Sequence, residues 1–282
     1  MRCAACPLVR VSIDGAWRVR TALIISTYER PDALAAVLDS VARQRAAPDE
    51  IVIADDGSGP ATRAQIASFA RRSAVPVRAV SQPHEGFRLT RLRNLAIAAC
   101  TADYLIFIDG DMLLHEGFVA DHRRQARAGC FTQGVRVRAD AALTARLIDQ
   151  PRMPLGAWTP GMGALRRAYL LRSRKLAALS RRFANHFIAI KGCNQAFWRA
   201  DLVRVNGFNE GIQGWGPEDK ELCARLVHAG VERQTLLFGG IAVHLHHPPA
   251  ARDALPANQQ VLTETVRERR TWCDRGLDAH LA

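Results

Sequence analysis

Two short acidic runs carry side chains that could hold a divalent cation or a nucleotide. The run IDGD places Asp109 and Asp111 two residues apart, directly after the apolar stretch YLIFI. Carboxylate oxygens are ligands that Mg²⁺ and Mn²⁺ prefer, so this pair is a candidate metal site; an acidic β-turn is the alternative. The run ADDGSG offers Asp55 to a base or a ribose, with Thr27 alongside; a turn capped by Ser58 is the alternative.

A third acidic group stands in the phrase GWGPEDKEL. Glu218 and Asp219 follow Trp215 and Pro217, where the sequence predicts the start of a helix. The free N–H groups and the positive dipole end of a helix N-terminus favour ionised carboxylates. We therefore expect one of the two acids to be a general base.

Basic and imidazole side chains accompany these acids. HEGFRLTRLRN places Arg88, Arg91 and Arg93 ahead of the IDGD run, where they could balance a diphosphate or form only a solvated face. In VHLHHP, strand alternation puts His244 and His246 on one face and His247 opposite. Two histidines on one face indicate a metal site, although a structural role is the alternative.

The elements that must position these residues alternate between strands and helices. Apolar runs at 21–27, 51–55 and 104–109 predict strands, and amphipathic stretches between them predict helices. This order is typical of an α/β fold with a largely parallel sheet, in which ligands bind beyond the carboxyl ends of the strands. After residue 130 the pattern loosens. Residues 166–182 are predicted to form a basic amphipathic helix, which could be a solvated face, a membrane contact or a lid.

Composition limits the classes of protein and partner. The 282 residues allow one large α/β domain or two small ones, and no apolar run is long enough to span a membrane. The N-terminus is too polar for a signal peptide, and seven scattered cysteines suit reduced thiols, so we expect a cytoplasmic chain. Cys3 and Cys6 are a weak zinc signal. The net charge of +12 favours an anionic partner, such as a phosphorylated ligand or a membrane surface. The 6% aromatic content argues against nucleic acid.

Several motifs together resemble a known family. TALIISTYERPDALAAVLDSVARQ, IVIADDGS and YLIFIDGDM resemble, in order, the opening strand, nucleotide motif and DxD motif of the family 2 glycosyltransferases of the GT-A fold. KGCNQAFWRADLVRVNGFNEGIQGWGPEDKELCARL resembles the segment shared by galactosyltransferases and N-acetylgalactosaminyltransferases, and VHLHHP follows where that group has its metal histidine. The resemblance implies a mostly parallel, Rossmann-like central sheet flanked by helices over residues 21–250. A nucleotide-binding half (21–130) and an acceptor half (131–250) are expected, with an N-terminal extension (1–20) and a partly helical tail (251–282).

The resemblance also implies an activity and a set of roles. The expected reaction is an inverting, metal-dependent transfer of a hexose or N-acetylhexosamine from a UDP-sugar to a hydroxyl of a glycan or glycolipid acceptor. Surface polysaccharide or lipopolysaccharide synthesis is the expected setting. The roles are a catalytic base (Asp219, or Glu218), nucleotide-sugar binding (Thr27, Asp55, Arg88, Arg93, Asp109), sugar and acceptor binding (Asn194, Trp215), and ligation of Mn²⁺ or Mg²⁺ (Asp111, Asp109, His244, His246). Glu221 stands where the related phrase GWGxEDxD has another acid.

Two other classes of protein fit the sequence less well. A nucleotidyltransferase would need a glycine-rich phosphate loop with a lysine near the first strand, and STYERPDAL has neither. A non-enzymatic polyanion- or carbohydrate-binding module would fit the charge. It gives no reason for DxD, GWGPED and the histidine strand to occur together. Galactose, N-acetylgalactosamine, N-acetylglucosamine and glucose all remain open as the transferred sugar.

Overall fold

The computed structural model describes residues 19–184, 186–187 and 190–281, so most of the expected N-terminal extension, with Cys3 and Cys6, lies outside the described residues. The strands are β1 (Thr21–Thr27), β2 (Glu50–Asp55), β3 (Val77–Ser81), β4 (Tyr104–Asp109), β5 (Met112–Leu114), β6 (Cys130–Gln133), β7 (Val137–Arg138), β8 (Phe183–Ala184), β9 (Asn194–Trp198), β10 (Glu232–Thr235) and β11 (Ala242–His244). The α-helices are α1 (Pro31–Ala42), α2 (Pro60–Arg72), α3 (Leu89–Ala99), α4 (Phe118–Gln125), α5 (Ala141–Asp149), α6 (Arg174–Leu179), α7 (Arg199–Arg204), α8 (Glu218–His228) and α9 (Leu255–Arg267). Two 3₁₀ helices cover Ala164–Leu170 and Leu277–His280.

The large sheet has the strand order β3-β2-β1-β4-β9-β6-β10-β8. The first four strands in this order are parallel to one another, as the βαβ pattern predicted. Strand β9 runs antiparallel to both β4 and β6, while β10 is parallel to β6 and β8 antiparallel to β10. The mixed α/β class with a helix-flanked central sheet is therefore confirmed, and each antiparallel pair of the large sheet includes β8 or β9, from the second half of the chain.

Both faces of the central strands are buried by helices. Alternate side chains of β1 pack against α1 on one face and against α3 on the other. Because a strand covered on both sides needs apolar residues throughout, β1 and β4 appear in the sequence as continuous apolar runs. Because β1, β2 and β4 are parallel, their carboxyl ends lie at one edge of the sheet. The last strand residues there are Thr27, Asp55 and Asp109.

A three-stranded sheet, β5-β11-β7, lies beyond this edge. Met112 of β5 pairs with His244 of β11, and the Leu245 N–H donates to the carbonyl of Asp111 at 2.9 Å. This antiparallel pairing connects the end of the IDGD run with the histidine strand. Residues far apart in sequence are therefore brought together by backbone hydrogen bonds.

One predicted segment differs in detail from the structure. Residues 166–182 do not form one helix: the 3₁₀ helix Ala164–Leu170 is followed by a break and then by α6. The tail packs onto the domain, because α9 lies against α8 and Leu277 is fully buried. No helix in the described part of the chain combines the length and apolar composition needed to cross a membrane.

Candidate active site

A cavity of about 690 Å³ lies at the carboxyl edge of β1, β2 and β4. The start of α8, the residues after β11 and the beginning of α9 close its other sides. This volume is within the range of small-molecule sites. Among the residues predicted for function, it is lined by Thr27, Arg93, Asp109, Asp111, Trp215, Glu218, Asp219, His244 and His246.

Three side chains in this cavity form a candidate cation site. A carboxylate oxygen of Asp111 and one ring nitrogen each of His244 and His247 lie within 4.8 Å of one another. The Asp111 Oδ1–His244 Nε2 distance is 3.7 Å, and the Asp111 Oδ2–His247 Nε2 distance is 3.4 Å. Asp111 Oδ1 is buried and has no hydrogen-bond partner among the described residues. An orphaned buried oxygen beside two imidazoles fits a divalent metal ion.

The protonation of these groups suits ligation. Burial, followed by the nearby Arg136 cation, lowers the pKa of His244 to about 3, so its ring is neutral at physiological pH. Burial, followed by the charge of Asp109, raises the pKa of Asp111 to about 6. A neutral imidazole has a free lone pair for a metal, and a cation would relieve the cost of the buried carboxylate.

His246 does not belong to this group. Strand β11 ends at His244, so the alternation that would place His246 beside it does not continue. The His246 N–H donates to Thr144 Oγ1 at 2.7 Å, and its carbonyl accepts from Arg30 Nη2 at 3.2 Å. These bonds hold the segment after β11 with His247, not His246, beside Asp111. Asp109 also lies outside the group, since its Oδ1 accepts from Arg93 Nη2 at 3.0 Å.

The acidic pair opens α8, as the sequence predicted. Asp219 accepts hydrogen bonds from the Gly192 N–H at Oδ2 (2.8 Å) and from the Lys220 N–H at Oδ1 (2.7 Å). Gly192 permits this approach, because a Cβ there would lie only 3.3 Å from the Asp219 Cβ. Each Asp219 oxygen keeps a further lone pair for an acceptor hydroxyl.

Burial changes the pKa values of Glu218 and Asp219 more than the helix N-terminus does. It raises the pKa of Asp219, and together with the Asp219 charge it raises the pKa of Glu218 to about 8. The expectation that the helix N-terminus keeps both acids ionised is therefore wrong for Glu218. Asp219 has two backbone N–H donors that stabilise its charge, so Glu218 carries the proton at neutral pH.

Arg93 connects the two acidic regions. Its guanidinium is buried, with Nη2 3.0 Å from Asp109 Oδ1 and Nη1 3.5 Å from Glu218 Oε1. The group also lies over the ring of Phe208, 5.2 Å from its centroid. Arg93 is thus a fixed cation between the DxD run and the start of α8.

The other end of the cavity is formed by the ADDGSG turn. Asp56, not Asp55, lines it. Asp55 accepts from the N–H and hydroxyl of Ser58 and so holds the turn. Asp56 accepts from Gln82 Nε2 at 2.5 Å and lies 3.0 Å from His84 Nδ1, whose ring stacks on Tyr28 at 4.1 Å.

Comparisons with known proteins agree with this geometry. The model of glycosyl transferase family 2 matches residues 22–187. The chain belongs to glycosyl transferase family 2. A second model, the N-terminal domain of galactosyltransferase, matches residues 172–248.

Curated relatives of this family 2 chain are sugar transferases and polysaccharide synthases. It is 29% identical over 228 residues to validoxylamine A glucosyltransferase of Streptomyces hygroscopicus subsp. limoneus, covering 74% of the chain and 48% of the relative. It is 25% identical over 256 residues to chondroitin synthase of Escherichia coli, covering 86% of the chain and 36% of the synthase. The chain therefore spans about half of the first relative's length and about a third of the second's.

Solved structures share the fold. A mannosyltransferase from Pyrobaculum calidifontis in complex with GDP-Man and Mn²⁺ superposes with a TM-score of 0.55 at 18% identity, covering 81% of this chain and 57% of that one. GalNAc-T7 with UDP, GalNAc and Mn²⁺ gives a TM-score of 0.59 at 15% identity, covering 81% of this chain and 44% of that one.

Two residues predicted for substrate binding in this family 2 chain are placed elsewhere. Asn194 is fully buried: its Nδ2 donates to the carbonyls of Val135 and Gly240, and its Oδ1 lies 2.9 Å from His122 Nε2. Its polar groups are therefore satisfied within the protein. Arg88 pairs with Glu85 at 2.8 Å and does not line the cavity. Both corrections arise because the sequence does not show which way a polar side chain at the end of an element points.

Arg30 and Arg136 are cavity residues that the sequence reasoning missed. Arg30 Nη1 lies 3.4 Å from Asp111 Oδ2, and Arg136 Nη1 donates to Cys193 Sγ at 3.1 Å. Both line the cavity, as Trp215 does from the other side. Their positions in the sequence could have indicated this, because each arginine follows a strand that ends at this edge of the sheet.

Glu221, the acid that departs from the related phrase, is a structural residue. It is buried and pairs through both oxygens with Arg225, at 2.9 and 2.8 Å. It is not among the residues that line the cavity. The acidic group of this site therefore comprises Glu218 and Asp219.

Proposed function

We propose that the chain is an inverting, metal-dependent glycosyltransferase that moves a hexose or N-acetylhexosamine from a UDP-sugar to a hydroxyl of a glycan or glycolipid. The observation that carries this proposal is the sharing of one cavity by the Asp111–His244–His247 group and the Glu218–Asp219 pair. A donor held at the first group would present its sugar towards the second.

The residues that would hold Mn²⁺ or Mg²⁺ are Asp111, His244 and His247. The two imidazoles favour Mn²⁺ over Mg²⁺, which prefers oxygen ligands. When bound, the ion supplies Lewis-acid stabilisation of the diphosphate charge. Solved neighbours with Mn²⁺ support this assignment.

The donor nucleotide is proposed to lie at the ADDGSG end. Asp56 offers carboxylate oxygens to a base or ribose, and Thr27 and the Tyr28–His84 stack lie on the same side. The charges of Arg30 and Arg136, near Asp111, suit the diphosphate. UDP is preferred for the donor because a related fold is solved with UDP, although another is solved with GDP-Man.

Asp219 is the proposed base. It takes the proton of the acceptor hydroxyl as that oxygen attacks the anomeric carbon, and the bond from that carbon to the diphosphate oxygen breaks with its electron pair. A single displacement from the opposite face inverts the anomeric centre, so an α-linked donor gives a β-glycoside. The raised pKa of Asp219 strengthens it as a base near neutral pH.

Protonated Glu218 has a different proposed role. It can donate a hydrogen bond to the sugar or to the acceptor, with the Arg93 guanidinium 3.5 Å from its Oε1. Trp215 provides an apolar wall for a sugar ring. Similarity to chondroitin and hyaluronan synthases supports a polysaccharide as the product. The setting we propose is the synthesis of a surface polysaccharide or lipopolysaccharide at the inner face of the membrane.

The test is turnover of a panel of UDP-sugars, with GDP-mannose for comparison, in the presence and absence of Mn²⁺. We expect Mn²⁺-dependent release of UDP from one of them, and NMR of the glycoside should show inversion. Asp111→Ala should lose UDP binding that depends on Mn²⁺ in calorimetry. Polyanion binding without any turnover would favour the non-enzymatic alternative.

A further inference from the structure

The stretch around α6 carries an unusual concentration of exposed apolar side chains. Of the ten exposed large hydrophobic residues in the described chain, five fall between residues 158 and 183. They are Trp158, Leu171, Leu176, Leu179 and Phe183. Leu179 is 83% exposed and Trp158 81% exposed, and a concentration of exposed apolar side chains marks an interaction surface.

Helix α6 is amphipathic in its contacts. Ala177 is buried and, with Ala178 and Arg181, lines a small hollow of about 70 Å³ against the body of the domain; Arg174 borders the same hollow but is exposed. Leu176 and Leu179, three residues apart, are therefore on the outward side of the helix. Phe183 follows shortly after and is also exposed.

Cations surround these apolar side chains. Residues 166–182 contain seven arginines and lysines and no acid. Arg174, Lys175 and Arg182 are exposed, and none of them forms an ion pair with another described residue. We call Leu176, Leu179, Arg174, Lys175 and Arg182 the α6 surface.

The α6 surface is fixed to the domain rather than loosely attached. Arg172 Nε and Nη2 donate to the two carboxylate oxygens of Asp121, each at 2.8 Å. Strand β8, which follows, pairs with β10 at the edge of the large sheet. Upstream, the Gly163 N–H donates to the carbonyl of Arg138, a residue that lines the active-site cavity.

We propose that the α6 surface docks on an anionic lipid bilayer, with Leu176 and Leu179 at the boundary between headgroups and acyl chains. Exposed leucines beside cations that have no ion-pair partner among the described residues match such an interface, since hydrophobic insertion and headgroup charge act together. A nucleic acid would bind the cations through its phosphates but would leave the exposed leucines without a partner. The inference goes beyond the proposed transfer reaction and does not depend on it.

The test is cosedimentation of the full chain with vesicles of phosphatidylglycerol and phosphatidylcholine, and with vesicles of phosphatidylcholine alone. We expect binding only to the anionic vesicles. The variant R174Q/K175Q/R182Q should lose about a hundredfold in partition coefficient, because each charge near the surface contributes about fivefold. The variant L176S/L179S, which changes only exposed side chains, should lose at least about tenfold.

A matched control removes three cations elsewhere. R71Q/R72Q/R269Q carries the same change in net charge at other exposed positions and should lose less than about threefold. An equal loss in both triple variants would overturn the α6 surface, as would failure of the wild type to bind. Displacement by free glycerol phosphate, or a dimer in sedimentation velocity that L176S/L179S dissociates, would also overturn it.

Discussion

Replacing Glu221 by glutamine should destabilise the protein without impairing its chemistry. Both Glu221 oxygens accept from Arg225, and Oε1 also accepts from Thr265 Oγ1 of α9 at 3.1 Å. The Arg225 side chain is 0% exposed and donates to the carbonyls of Val205 and Gly207 as well. Glutamine would remove the negative charge and turn an N–H₂ group towards the guanidinium, leaving a buried cation uncompensated.

The expected cost follows from the burial of this pair. Removing one partner of a fully buried, hydrogen-bonded ion pair costs about 3–5 kcal/mol in the free energy of unfolding. At roughly 2–4 °C per kcal/mol for a domain of this size, Tm should fall by about 10 °C. Differential scanning calorimetry would measure the fall, and donor turnover per folded molecule should be unchanged because Glu221 lies outside the cavity.

The matched control is Glu268→Gln. Glu268 pairs with Arg267 and Arg270 at 2.6 Å on the surface, where solvent screens the charges, so its Tm should stay at the wild-type value. If Glu221→Gln has the same Tm as this control, the buried ion pair contributes nothing to the stability of the fold and the reasoning is wrong. A folded Glu221→Gln protein with a greatly reduced turnover number would instead give Glu221 a part in catalysis.

Three further predictions concern the cavity. Asp219→Asn should nearly abolish transfer while UDP binding persists in calorimetry; normal turnover would remove Asp219 as the base. His247→Ala should weaken Mn²⁺ binding by at least about tenfold. His246→Ala is the neighbouring control and should leave it unchanged, and the reverse order would refute the assigned cation site. Burial raises the pKa of Glu218 from 4.5, the value for the unfolded chain, to about 8 in the folded protein. The contribution of this group to the free energy of unfolding is therefore fully present below pH 4.5. That contribution is lost as pH rises through about 8, so Tm of the unliganded protein should fall over this interval. A Glu218→Gln variant with the same slope would contradict the assignment.

Much of the first half of the fold could be predicted because its signals are local. The run TALIIST becomes β1 over the same residues, and Pro31 begins α1 as expected from its fixed φ. A strand that is buried on both faces must be apolar throughout, so few alternatives fit such a run. Strands β5, β7 and β8 have two or three residues each, too few for a periodic pattern to identify them.

The site could be predicted by position but not by side-chain direction. Asp111, His244 and the Glu218–Asp219 pair were found because acids and histidines stood at the ends of predicted elements. Asp55 and Asn194 were also at such ends, yet both turn inwards and hold backbone groups. The sequence favoured His246 over His247 because strand alternation was assumed to continue past His244, and β11 stops there.

Strand β9 has a consequence for how the chain folds during synthesis. It lies between β4 and β6, so the middle of the sheet is completed by residues made long after β4. Until residue 198 has left the ribosome, the apolar YLIFI strand has an open edge with unpaired backbone groups. An open edge is a template for aggregation. A fragment ending near residue 130 should therefore not be an independent folding unit, and a nascent chain of that length would need protection by a chaperone.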